Sequence, residues 1–264
     1  MKKILLFFIL LATTFLSGCS AKQDSAPTGT SVIYEQPSKA ASSQSESSKE
    51  TAYVASDIKN NIPISHKIKN FEIIGQLPEL PTGCEITSLT MVLNYYGLNP
   101  DKMEMAVKYL PKTDYSTYYK NGKLTGPDLD NYFLGDPTSG YGYVCGTNAI
   151  ITAANTFLSD IKSNYKAADL NSCDISELYK YVSQDNPVAV WTTIEMADRY
   201  KTEGWYTESG KYVEWSQNDH CNVLIGYTEN TVTIADPILG EVEYDKKQFE
   251  KVFKSRGSKA VILK

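Results

Sequence analysis

The chain has 264 residues, 26 of them Lys or Arg and 31 Asp or Glu, for a formal net charge of −5 at pH 7. Mild acidity without a basic block argues against a nucleic-acid partner, and 42% hydrophobic residues suit a globular domain. The 19 tyrosines are an excess that fits either strand-rich structure or a wet recognition surface.

Taken from the N-terminus, Lys2 and Lys3 precede the apolar run "ILLFFILLATTFL", the layout of an export signal. The run is short for a permanent bilayer span. It ends in Leu16-Ser17-Gly18-Cys19, which resembles a bacterial lipoprotein signal, so residues 1–19 are expected to direct lipidation of Cys19 and anchoring on the extracytoplasmic face of the cell membrane. Residues 20–60, typified by "SKAASSQSESSKET", hold too little apolar surface to fold and read as a disordered Ser-rich tether. Some forty flexible residues would have an end-to-end distance of about 35 Å. His66 belongs to the lead-in, and 61–264 reads as one domain.

Within that domain, "CEITSLTMVLNYYG" sets Ile86, Leu89, Leu93 and Tyr96 at helical spacing with Val92 beside them, and Gly97 and Pro100 provide a stop. This predicts an amphipathic helix from residue 83 or so. A second helix is predicted over "PDKMEMAVKYL". Residues 112–147, rich in Tyr, Gly and Pro, read as a long ordered loop or lid. Helices are expected near 147–158 and over "ISELYKYVSQ". The period then changes. "PVAVWTTI" (187–194) suits a buried strand, "HCNVLIGY" (220–227) and "TVTIAD" (231–236) form a hairpin across "TEN", "GEVEYDKKQFEKVF" adds a strand and a helix, and "KAVILK" closes as a strand. Helices followed by an antiparallel sheet make an α+β fold.

Five cysteines are present: Cys19, Cys84, Cys145, Cys173 and Cys221. With Cys19 lipidated, four could form two disulfides, or one at most if Cys84 stays a thiol. No CxxC or Cys/His spacing suggests zinc, and Asp128, Asp130 and Asp136 match no calcium-loop spacing and read as solvated turn residues. The sequence therefore predicts no metal and no cofactor.

The stretch "PTGCEITS" (81–88) carries the chemistry. Thr82-x-x-Glu85 matches a capping box, with Thr82 as N-cap and Cys84 at the second helical position. There the helix dipole favours a thiolate and a first-turn N–H is available to an oxyanion. Glu85 opposes a neighbouring thiolate, so a base is required. Of the two histidines, His66 lies in the lead-in, which leaves His220. A hairpin turn centred on Thr228–Glu229 puts residue 220 opposite roughly 236 to 238, so Asp236 falls at or within a pair or two of the partner of His220. Cys221, on the other face of the same strand, is expected to be structural. Each residue also has a plain reading: Cys84 as a small core side chain, His220 as hydrogen-bonded structure, and Asp236 as a strand exit before proline.

"LPTGCEITSLTMVLNYYG", "FLGDPTSGYGY", "DHCNVLIGY" and "VTIADP" together resemble the C-39-like cysteine peptidases, relatives of the bacteriocin-leader peptidases in the papain-like clan, over about residues 72–255. The resemblance implies a papain-like α+β domain whose N-terminal helical part carries the cysteine and whose C-terminal sheet carries His and Asp. It implies Cys84 as nucleophile, His220 as base and Asp236 as the residue orienting it. Bacteriocin-leader peptidases place an oxyanion-hole Gln six residues before the cysteine. Pro78 stands there in this chain, and Gln76, eight before, is the candidate. The implied activity is hydrolysis of peptide bonds in extracytoplasmic peptides or proteins through a thioester. Deamidation or transamidation on the same residues, or a non-catalytic binding lipoprotein, are the alternatives. The double-glycine specificity of transporter-fused relatives is not carried over.

Overall fold

A computed structural model describes residues 62–264. The expected signal with Cys19 and the expected tether over 20–60 lie outside the described residues. In chain order, β1 (His66–Lys67) leads through a loop to helix α1 (Cys84–Tyr95). Helix α2 (Lys102–Glu104) continues as a π-helical turn over Met105–Tyr109. Strands β2 (Lys112–Thr113), β3 (Tyr118–Lys120), β4 (Lys123–Thr125) and β5 (Phe133–Leu134) precede α3 (Thr147–Asp160). Then come β6 (Ala167–Asp169), α4 (Ile175–Ser183), β7 (Val188–Thr193), β8 (Trp205–Tyr206), β9 (Tyr212–Val213), β10 (Asp219–Tyr227), β11 (Thr231–Asp236), β12 (Gly240–Asp245), α5 (Lys246–Ser255) and β13 (Ala260–Leu263).

The main sheet runs β12-β11-β10-β7-β13-β6, with β1 adding to the end of β10, and every pairing in it is antiparallel. Its central strands bury both faces, which explains why β7 and β10 read as continuous apolar or small-residue runs. The lead-in histidine joins this sheet: His66 pairs with Tyr227, and its Nε2 lies 2.8 Å from Asp185 Oδ1.

Helix α1 is not the half-exposed amphipathic helix that its spacing predicts. Residues 84–93 are buried all round, with β10 and β7 on one side and α3 on another. Its buried hydroxyls survive inside because backbone carbonyls of the helix and of β10 accept from them. Thr87 Oγ1 donates to Gly83 O at 2.7 Å, Thr90 Oγ1 to Ile86 O at 2.7 Å, and Ser88 Oγ to Cys221 O at 3.0 Å. The last bond pins the helix one turn past Cys84 to the strand that carries His220.

Residues 112–147 contain four short strands, where the sequence suggests only loop. β2 pairs parallel with β5, and β3-β4-β8-β9 form a small second sheet. A minor core of Leu129, Leu134, Trp205 and Val213 lies beneath it. The tyrosine excess is partly spent here: Tyr115, Tyr118, Tyr119, Tyr132, Tyr141, Tyr143, Tyr200 and Tyr212 are all exposed on this part of the surface.

Candidate active site

The start of α1 is set by a clamp from residues 136–142. Thr82 N–H donates to Pro137 O at 3.4 Å and Thr82 Oγ1 donates to Ser139 O at 3.2 Å. The fit is close. A Cβ on Gly83 would stand 2.9 Å from Leu80 Cβ, and one on Gly142 would stand 2.0 Å from Thr82 Oγ1. With Thr82 so engaged, Gly83 is the N-cap and makes no side-chain cap. The predicted capping box therefore does not form, and Cys84 is the first helical residue rather than the second.

Glu85, assigned by the sequence to that box, points inward instead. It is buried, its Oε1 accepts the Cys145 N–H at 3.0 Å, and its Oε2 accepts the Cys84 thiol hydrogen at 3.2 Å. Burial raises its pKa above the ordinary carboxyl value, against the pull of the Cys145 and helix amides. The signal that could have revealed this is an acidic residue on the apolar run that the periodicity already marks as core.

The packing of α1 against β10 brings Cys84 near Cys221. Burial pushes the thiol pKa well up, and the neighbouring Glu85 carboxylate pushes the same way. Among the described residues no hydrogen bond joins Sγ to the His220 ring. The thiol hydrogen goes to Glu85.

His220 and Asp236 are both buried, and His220 Nε2 lies 2.9 Å from Asp236 Oδ2. Val223 pairs with Ala235. Carried one residue further, that register sets Asp236 opposite Asn222, so it reaches His220 along the diagonal on one face of the hairpin. Burial works against the Asp236 charge. The His220 ring and the N–H groups of Ile238 and Leu239, at 2.8 and 3.1 Å from Oδ1, outweigh it and hold the carboxyl below its usual range. With Nε2 committed to Asp236, Nδ1 is the ring atom left for proton exchange with a thiol.

Gln76 is buried between the loop before α1 and the turn after Asp236. Its backbone N–H donates to Pro237 O at 2.8 Å, and its Nε2 donates to Pro81 O at 3.1 Å. Its Oε1 is buried without a hydrogen-bond partner. Next to His220, Asp219 is ion-paired with Arg256 at 2.7 Å, and both side chains are buried.

Among the described residues the other cysteines, Cys145, Cys173 and Cys221, are unpaired thiols, like Cys84. Cys221 is buried, and strand alternation sets it on the face of β10 opposite His220. Asp130 is paired with Lys259 at 2.9 Å and with Lys211, while Asp128 and Asp136 cap their own turns. On the outer side of the 136–142 clamp opens a cavity of about 810 Å³, whose lining includes Lys112, Asp114, Tyr115, Asp136, Ser139 and Tyr143.

Helix α1, which begins at Cys84, packs against β10, and His220 of β10 is hydrogen-bonded to Asp236 of β11, all within one α+β domain. The chain belongs to the Peptidase_C39 like family, whose profile matches residues 68–261. It is 34% identical over 189 residues to the uncharacterized protein YvpB of Bacillus subtilis (strain 168), a match that covers 70% of each chain. It also resembles the crystal structure of a Bacillus anthracis protein assigned to the C39-like peptidases. Identity there is 32% and the TM-score 0.66, over 76% of this chain and 97% of that one.

Proposed function

We propose that this chain is a thiol peptidase, anchored through Cys19 on the extracytoplasmic face of the membrane, that hydrolyses amide bonds of peptides or proteins. The hydrogen bond between His220 Nε2 and Asp236 Oδ2 carries the reading. In the scheme, Cys84 Sγ turns to His220, gives its proton to Nδ1 and attacks the substrate carbonyl as thiolate. The Cys84 N–H, in the first helical turn, and the Gln76 side chain stabilise the oxyanion. His220 then protonates the leaving amine, and water activated by the same ring resolves the thioester, returning the thiol. Asp236 keeps the imidazole oriented.

The second reading is a non-catalytic binding lipoprotein. It is favoured by two observations: the Cys84 hydrogen bond goes to Glu85, and Gln76 Nε2 is already engaged by Pro81. Deamidation or transamidation would use the same residues with a different leaving group or acceptor.

Two measurements separate these readings. Iodoacetamide labelling of Cys84 that slows in His220→Ala supports a working Cys–His pair, and identical rates support the binding module. Comparison of protein N-termini in cells carrying the wild type or Cys84→Ala then tests peptidase action. Termini that depend on Cys84 support it. Their absence, with the labelling intact, points to deamidation.

A further inference from the structure

Glu85 is a buried charged group for which the acyl-transfer scheme has no task. It bridges Cys145 N–H on Oε1 and the Cys84 thiol on Oε2, at 3.0 and 3.2 Å. A carboxylate in that place opposes nucleophilicity twice. An S–H···O bond stabilises the neutral thiol, and the negative charge repels the thiolate. Structural filler would not need a charge there, since a buried carboxylate is costly to keep.

The groups facing Glu85 do not neutralise it. They are Cys84 on its own helix, Cys145 from the segment before α3, Asp219 and Cys221 from β10, and Arg256 at the end of α5. Arg256 is committed to Asp219. Among the described residues no ion pair reaches Glu85, so its strongest partners are the Cys145 amide and the thiol itself.

We propose that Glu85 is a positioning residue that keeps Cys84 protonated and its hydrogen bond directed away from His220 until Sγ rotates off Oε2. This rests on the reading of Cys84 as the nucleophile. On release, the S–H···Oε2 bond breaks and an S–H···Nδ1 bond to His220 forms. The proton passes to Nδ1 and the thiolate remains, with no other reactant involved.

The Cys145 N–H makes the idea sharp. It requires an acceptor at Oε1, so in Glu85→Gln the amide oxygen stays on Cys145 and the NH₂ faces Sγ. A donor replaces an acceptor, and a neutral group replaces a charge, with almost no change of shape. Both changes favour the thiolate.

The test is the pH profile of Cys84 alkylation by iodoacetamide in the whole chain, read at Cys84 by mass spectrometry. In E85Q the midpoint is expected to fall by one pH unit or more, raising the rate at pH 7 by about tenfold. A profile that superimposes on the wild type, or moves to higher pH, overturns the proposal. A second measurement leaves Glu85 untouched: the infrared S–H stretch of the wild type, assigned by its loss in Cys84→Ala. A band lowered by hydrogen bonding supports the proposal, and a band at the position of an unbonded thiol overturns it. The peptidase reading fails separately, through an unchanged labelling rate in His220→Ala, while the E85Q profile reports on Glu85 alone.

Discussion

Asp236 divides its carboxylate between two duties: Oδ2 meets His220 Nε2 at 2.9 Å, and Oδ1 accepts the N–H groups of Ile238 and Leu239. The imidazole and the turn that leaves β11 are thus fixed by one side chain. Asp236→Ala frees both. In the proposed peptidase, kcat is expected to fall by about two orders of magnitude or more, because the ring loses its orientation. Stability should fall by about 1–3 kcal/mol from the unsatisfied buried partners. Since the folded-state pKa of Asp236 lies below the unfolded value, its contribution is present above about pH 4 and is lost as pH falls through the folded pKa. Urea titrations of wild type and variant should therefore differ at pH 7 and converge in strong acid.

Gln76 offers a cleaner dissection of binding from chemistry. If its side chain stabilises the oxyanion, Gln76→Ala should lower kcat by roughly 10²-fold. The alkylation profile of Cys84 should stay unchanged, because no oxyanion forms in that reaction. A parallel loss in both assays would mean that Gln76 only holds the loop before α1 against Pro237.

The Asp219–Arg256 pair lies one residue from His220 with both side chains buried. Removing one partner strands a charge, so Arg256→Ala is expected to cost about 3–5 kcal/mol. Differential scanning calorimetry checks this, and a change under 1 kcal/mol would mean that water reaches the pair.

Alkali should destabilise this domain. Burial raises the thiol pKa values of Cys84, Cys145 and Cys221 well above the ordinary value of 9.0. Above about pH 9 the unfolded chain sheds thiol protons that the folded chain retains, so stability declines as pH rises. Urea midpoints at pH 7.5 and pH 10 measure the slope. A Cys145→Ala/Cys221→Ala variant should flatten it, and an unaltered slope would assign the effect to other groups.

The sequence was most informative where structure is local. The hairpin from His220 to Asp236 could be placed because its turn lies between two β-rich runs, and strand alternation put His220 and Cys221 on opposite faces. The start of α1 departs from the capping box that the sequence predicts because its capping is tertiary. Ser139 and Pro137 take Thr82, and Cys145, sixty residues on, takes Glu85. Neither partner is visible in a local motif. The strands of residues 112–134 leave no local signal for a similar reason. They are two or three residues long, and one finds its partner at Tyr206, far along the chain.

The last strand of the main sheet has a consequence for how copies of this molecule meet. Among the described residues β12 pairs on one side with β11 and ends the sheet; Glu243 and Asp245 stand exposed along it, and Glu241, also exposed, is ion-paired with Lys67. A second molecule docking its own β12 there would bring carboxylates against carboxylates, on a row of open amide groups otherwise ready to accept a strand. Like charge along this border therefore disfavours edge-to-edge pairing of two copies through β12.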